Sequence, residues 1–255
     1  MKEILKIKNI SKDYGIKGFK TNVLKNISLT VNEGDFISIM GPSGAGKTTL
    51  LNLMSTLDKQ TSGEIILDGI NISKVKNNEL SKLRREKIGF IFQDFNLLDT
   101  LTAYENIALA LTIQRVNNKE IDKRVRLVAE ALNISNELNK YPYEMSGGQK
   151  QRVASARAIV TNPSLVVADE PTGALDSKAA TMLLESLEDL NKNLNATIMM
   201  VTHDAFTASY ANRILFIKDG KIFNELIKGT DSRKEFFNRI IEVITLLGGD
   251  SNNVF

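Results

Sequence analysis

The stretch Gly41-Pro42-Ser43-Gly44-Ala45-Gly46-Lys47-Thr48-Thr49 constrains this chain more than any other part of it. Phe36-Ile37-Ser38-Ile39-Met40 precedes it and reads as a short buried strand, and Leu50-Leu51-Asn52-Leu53-Met54 follows with a helical pattern. Strand, glycine-rich loop and helix in that order make the context of a phosphate-binding loop. Gly41, Gly44 and Gly46 let the backbone curl so that successive N–H groups point inward at phosphate oxygens. The helix beginning near Lys47 adds the positive end of its dipole. Lys47 is placed to reach β- and γ-phosphates, and the Thr48 hydroxyl to ligate Mg²⁺. The residues imply binding of a nucleoside triphosphate.

A length of 255 residues suits one large domain, or a domain carrying a subdomain, and 42% hydrophobic residues are enough for a real core. The formal net charge of +3 argues only weakly for nucleic acid. Lys82, Arg84, Arg85 and Lys87 cluster, but Glu79 and Glu86 interrupt them, as on a solvated helix face. The chain has no cysteine, which excludes disulfides, thiol nucleophiles and cysteine-based zinc sites. No apolar run approaches the ~18 residues of a membrane span. The start, MKEILKIKN, alternates charged and apolar residues and lacks a signal-peptide core. A cytoplasmic protein is expected, with any membrane role supplied through a partner.

Ile4–Ile7 and Ile27–Val31 alternate like strands, with Lys12-Asp13-Tyr14-Gly15 and then a polar loop between them. Ser62-Gly63 followed by Glu64–Gly69 predicts a strand ending in a turn. From about Asp94 to Asn162 the pattern is mainly helical; Ile121, Val125, Val128, Ala129 and Leu132 fall on one face. Strands return at Leu165–Ala168 and Ile198–Val201, whose unbroken apolar runs suit central parallel strands. The helix between them is expected to bury Leu183, Leu184, Leu187 and Leu190. Ile214–Ile217, Lys218-Asp219-Gly220 and Lys221–Phe223 read as a hairpin.

Asp169-Glu170 ends an apolar strand, where open α/β sheets bind ligands. Asp169 is assigned to hold Mg²⁺, with Thr48 and water. Glu170 is then free to polarise a water for attack on the γ-phosphate. Met145-Ser146-Gly147-Gly148-Gln149 supplies a third motif: Ser146 can cap the following helix, and the two glycines expose its N–H groups to an anion. With this SGGQ in place, the chain resembles the ATPase subunits of ABC transporters, from Leu5 to Phe223. Other P-loop ATPases lack SGGQ. The family usually has leucine before that serine, and Met145 is a volume-conserving departure.

The resemblance implies an α/β fold: a P-loop NTPase (RecA-like) core with an N-terminal antiparallel β subdomain and an inserted helical subdomain. The ATPase domain would span 1–228, with 1–93 and 163–228 as nucleotide-binding core, 94–162 as helical subdomain, and 229–255 as a helical tail. It assigns Tyr14 to stacking on adenine, and Gln93 to Mg²⁺, the attacking water and the membrane partner. Asp176, in Gly173-Ala174-Leu175-Asp176, matches a loop that communicates between subunits. His203, the chain's one histidine, matches the switch residue on the γ-phosphate. ATP and Mg²⁺ are the expected ligands. Phosphoryl transfer needs added positive potential and no arginine finger stands near Lys47, so a head-to-tail homodimer is implied, each Ser146–Gln149 turn facing the other's P-loop.

Ile91–Leu98 and Ala168–Gly173 are similar to the group containing macrolide exporters and lipoprotein-release ATPases. Gln93–Thr102, Gly173–Lys178 and the tail resemble bacitracin- and lantibiotic-resistance ATPases. Such a subunit would sit at the cytoplasmic face of the membrane with a long permease, often linked to a sensor histidine kinase, and without nucleic acid. Lipoprotein release, macrolide efflux, or a non-transport ABC ATPase on DNA or ribosomes are the alternatives. The tail, Asp231 to Gly249, reads as an amphipathic helix covering the core edge, with a membrane-contacting or regulatory role as the alternative.

Overall fold

A computed structural model describes residues 2–16 and 19–248. The chain opens with a long hairpin of β1 (Glu3–Ile16) and β2 (Phe19–Asn32), then β3 (Phe36–Met40) and α1 (Lys47–Met54). Next come β4 (Ser62–Leu67), β5 (Ile70–Asn71), α2 (Asn77–Lys87) and β6 (Ile88–Ile91). Three helices follow: α3 (Ala103–Ile113), α4 (Asn118–Ala131) and α5 (Gly147–Ile159). The chain then returns through β7 (Leu165–Asp169), α6 (Ser177–Leu194), β8 (Ile198–Val201) and α7 (Ala205–Ala208). It ends with β9 (Arg213–Lys218), β10 (Lys221–Ile227) and α8 (Arg233–Gly248).

Two sheets result. The first is antiparallel, in the order β2-β1-β4-β5; the second runs β10-β9-β3-β8-β7-β6, parallel except for the edge strand β10. β3 and β8 are buried at every residue, which is why they are apolar throughout but for Ser38. Successive residues serve opposite faces. Phe36, Val166, Ile198 and Met200 join the cluster made with α3 to α6, while Ile37, Ile39, Val167 and Met199 face α1, α2 and the antiparallel sheet.

The predicted helical faces are buried in α4, at Ile121, Val125, Val128 and Ala129, and in α6, at Leu183, Leu184, Leu187 and Leu190. The β9–β10 turn places Asp219 (φ 51°) and Gly220 (φ 77°) in left-handed conformations, as a two-residue hairpin turn requires. The first hairpin differs from expectation. Lys12–Gly15 lies within β1, paired with Lys20–Leu24, and not in a connection. Ladder hydrogen bonds are made by backbone, so the polar side chains beyond Ile10 extend the ribbon without needing a core beneath it.

α8 begins two residues after the expected Asp231; Gly249, its expected last residue, lies outside the described residues. Its Phe236, Ile240 and Val243 cover Met40, Ala205, Ala208, Ile214 and Phe216. Among the described residues no helix is long and apolar enough to cross a membrane.

Candidate active site

Four neighbouring parallel strands end side by side, and each delivers one piece of chemistry at its carboxyl end. β3 leads into Gly41, β8 into Thr202-His203, β7 ends on Asp169 before Glu170, and β6 leads into Phe92-Gln93. The ends of such strands form the crevice in which open α/β sheets hold ligands.

The 41–49 loop needs its glycines. Gly41 (φ 150°), Gly44 (φ 77°) and Gly46 (φ 101°) all have positive φ. A Cβ on Gly41 would lie 2.0 Å from the Ile217 carbonyl oxygen, and one on Gly46 2.6 Å from Leu24 Cδ2. Gly46 caps α1 without a side-chain acceptor, so the first-turn N–H groups stay available to an anion. Pro42, Ser43, Gly44 and Thr48 are exposed, Thr49 is half-buried, and Ala45 packs into the core. Lys47 Nζ donates to the carbonyls of Gly41 (2.8 Å) and Pro42 (3.0 Å), and among the described residues it makes no ion pair. Its ammonium thus rests on neutral acceptors that an anionic phosphate outcompetes.

Asp169 is half-buried. Burial pushes its carboxyl above the usual range, the adjacent Glu170 charge adds to the rise, and Lys47 partly offsets it. Glu170 leaves the strand in a left-handed conformation (φ 46°) while its N–H donates to Val201 O at 3.0 Å. Its Oε1 stands 2.9 Å from His203 Nδ1. With Glu170 ionised, that contact requires a proton on Nδ1. The His203 side chain is 75% exposed, against 21% for Glu170, so the imidazole forms the open rim of the pair.

Gln93 is exposed and lies against the turn after Glu170: a Cβ on Gly173 would come within 3.0 Å of its Cδ. Tyr14 stands at the other side of the loop, on the hairpin whose Val23 and Leu24 back Gly46. Ser146 caps α5 by accepting from Gln149 N (3.3 Å), and Gln149 Oε1 accepts from Ser146 N (2.9 Å). Gln149 Nε2 also donates to Glu137 at 2.8 Å. Gly147 is exposed, and Gly148 packs so closely on α6 that an added Cβ would meet Ala179 Cβ at 2.7 Å. Asp176 caps α6 by accepting from Ala179 N at 2.8 Å. This second cluster makes no hydrogen bond to the 41–49 loop among the described residues.

Sequence reasoning missed two fasteners. Buried Gln151 donates through Nε2 to Phe92 O (3.0 Å) and Pro171 O (2.9 Å), joining the strand ends that carry Gln93 and Glu170. Arg157 donates to the carbonyls of Asn96 and Phe95, the latter at 2.9 Å. Both backbones are left-handed there. In a helix already holding Gln149, a second glutamine gives no signal of burial.

The donor set fits the expected ligands. The Thr48 hydroxyl, Asp169 carboxylate and Gln93 amide oxygen are hard oxygen donors of the kind Mg²⁺ takes. The N–H-rich loop with Lys47 suits a polyphosphate.

Residues 24–173 match the family model described as ABC transporter. The bacitracin export ATP-binding protein BceA of Halalkalibacterium halodurans is 51% identical over 250 residues, covering 98% of this chain and 99% of that one. The macrolide export ATP-binding/permease protein MacB of Campylobacter jejuni is 45% identical over 222 residues, 87% of this chain but 34% of that longer protein. A dimeric, post-hydrolysis structure of the ATP-binding cassette MJ0796 bound to ADP and Pi superposes with a TM-score of 0.79 at 42% identity. It covers 88% of this chain and 98% of that one. A family model spanning more than half of the chain, and relatives about half identical along nearly all of it, establish that this chain belongs to the ABC transporter family, as an ATP-hydrolysing subunit.

Proposed function

We propose that this chain is the motor of a membrane transporter that protects against cell-wall-targeting peptide antibiotics. The observation that carries the motor reading is the convergence of Gly41, His203, Asp169-Glu170 and Gln93 at the ends of four adjacent strands. Lys47 and the loop N–H groups bind the ATP phosphates, and Tyr14 stacks on the base. Thr48, Asp169 and Gln93 would hold Mg²⁺, which when bound would neutralise phosphate charge. Glu170 takes the proton of the attacking water, and His203 fixes its carboxylate through Nδ1. A protonated His203 ring also donates from Nε2 to a γ-phosphate oxygen. Ser146 and Gly148 of a second copy close the site; within one copy Gly148 packs on α6, and Ser146 bonds Gln149 of its own helix. Asp176, beside them, carries the signal between copies.

The subunit works at the cytoplasmic face with a permease. A groove of about 430 Å³ supports this. It is lined by Phe90, Phe92 and Ile113 together with Arg84, Arg85 and Arg157, and Phe92 directly precedes Gln93. It suits an amphipathic segment with acidic ends, from the cytoplasmic side of that permease. The antibiotic assignment rests on likeness to BceA. Coupling to a sensor histidine kinase would run through the permease.

Pull-down of the tagged chain from gently solubilised membranes, with the partner identified by mass, tests the proposal. A long permease with a large external domain is expected. A short one transfers the chain to lipoprotein release or macrolide efflux. Recovery on ribosomes or DNA without any membrane protein overturns the transporter reading.

A further inference from the structure

The Tyr14 side chain is held from two sides by Asp58 and Lys12, both outside the 41–49 loop. Its hydroxyl donates to Asp58 Oδ2 at 2.6 Å. Lys12 Nζ lies 4.6 Å from its ring centroid, within the range of a cation–π contact. The same ammonium donates to Asp58 Oδ1 at 2.7 Å and to Lys59 O at 2.6 Å. Lys59 N in turn donates to Asp58 Oδ1 at 2.7 Å. Lys12 is 8% exposed, whereas Tyr14 keeps 42% of its surface open. Burial works to raise the Asp58 carboxyl, but hydrogen bonds from Lys12, Tyr14 and Lys59 outweigh it and hold the group below the usual range. Asp58 therefore stays an anion and an acceptor for both neighbours.

The consequences lie on the ring. Asp58 and Lys59 follow α1, the helix that opens at Lys47, and Thr61 binds the hairpin as well through Thr61 Oγ1 and Asp13 N (2.9 Å). The ring of Tyr14 is thereby fixed to the phosphate-binding helix, although the residue sits on an exposed ribbon. Lys12 occupies one π-face, which leaves the other for a planar base. A cation behind the ring also draws π-density away from the free face, reducing its repulsion of a second π-system.

We propose that Lys12 and Asp58 are positioning residues for the nucleobase: they orient and polarise Tyr14 so that its one free face stacks on the purine. The proposal rests on the reading of Tyr14 as the adenine platform. It assigns base affinity to a clamp built from β1 and the segment after α1, separate from the 41–49 loop.

The test compares binding of ATP with binding of inorganic tripolyphosphate, which has no base. Lys12→Met, which keeps length and removes charge, should weaken ATP about three- to fivefold and leave tripolyphosphate unchanged. Lys12→Arg, able to stack and to bond Asp58, should restore ATP binding. Asp58→Asn should also weaken ATP selectively. A purely structural role would move both ligands together and overturn the proposal. ATP affinity unchanged in Lys12→Met, with ATP weakened in Tyr14→Ala, would remove the clamp and keep the platform. ATP affinity unchanged in Tyr14→Ala would remove both.

Discussion

His203 Nδ1 lies 2.9 Å from Glu170 Oε1, although the two residues are 33 apart in sequence and follow different strands. The contact gives the proposed base a fixed orientation at the open end of the sheet. Glu170→Gln keeps the shape and the acceptor oxygen but cannot take a proton. It should bind ATP with near-normal affinity and lower turnover by at least about 10²-fold. Single-turnover hydrolysis beside equilibrium nucleotide binding checks this; wild-type turnover would remove Glu170 from the base role.

Asp169 gives a pH-dependent signature. Burial, with Glu170 beside it, lifts its native carboxyl above the ordinary value of 3.8. Between 3.8 and that raised value the native state binds more protons than the unfolded chain. Stability therefore falls as pH rises through the window and stays lowered above it. Asp169→Asn removes this penalty. The ligand-free variant should melt above wild type at pH 7, lose that advantage below pH ~4, and fail to hydrolyse Mg²⁺-ATP. Thermal melts across pH, paired with activity, decide it.

Gln151 bridges Phe92 O and Pro171 O from within a helix, so its effect should exceed that of a surface glutamine. Gln151→Leu leaves two carbonyls without their donor and should cost about 2 kcal/mol of stability. Because those carbonyls flank Gln93 and Glu170, kcat should fall in the fraction that remains folded. Urea unfolding and kcat at saturating ATP separate the two effects; a variant with unchanged kcat would limit Gln151 to structure.

The contrast between Lys47 and Gln151 shows what sequence carries. Lys47 sits in a local pattern whose glycines, strand and helix are contiguous, so its place in the fold is legible there. Asp169, Glu170 and His203 were readable because continuous apolar strands ended just before them. Gln151 acts through carbonyls 59 and 20 residues away, and no local periodicity reports such partners. The same holds for Lys12, whose anchor Asp58 is 46 residues distant. The outer half of β1 escaped detection because its partner strand, not its own alternation, holds it extended.

Asp68 is a tie of that hidden kind. Lys2 (2.7 Å), Lys87 (2.7 Å) and Ser164 (3.0 Å) bond its carboxylate, joining β1, the end of α2 and the approach to β7. The hydrogen bonds from Lys2 and then Lys87 hold its carboxyl well below the usual carboxylate range against the opposing effect of burial. Lys2 is largely exposed, so water screens its share of the effect more than that of the more sheltered Lys87. The stability is present above the unfolded value of 3.8 and is lost as pH falls through the depressed native value. Asp68→Asn tolerates the left-handed backbone (φ 45°) and should cost about 1–2 kcal/mol at pH 7. The difference should shrink in acid; a pH-independent loss would point to packing instead of charge.

α8 offers two faces with opposite predictions. Phe236 is fully buried against a patch containing Met40, which precedes the phosphate-binding loop, and Ala205 and Ala208, which follow His203. Arg233 anchors the helix start, its guanidinium 3.8 Å from the Tyr210 ring centroid and 2.9 Å from Glu188 of α6. Phe236→Ala should cost about 3–4 kcal/mol, as large-to-small core changes do. Ile241 (40% exposed) and Leu246 (65% exposed) lie on the outer face, where polar substitution should leave the melting temperature nearly unchanged. If α8 covers the core alone, Ile241→Ser and Leu246→Ser will copurify with the permease as wild type does. Loss of copurification at unchanged stability would make the outer face a contact with the membrane assembly. Destabilisation by the outer pair, equal to that of Phe236→Ala, would contradict the burial pattern itself.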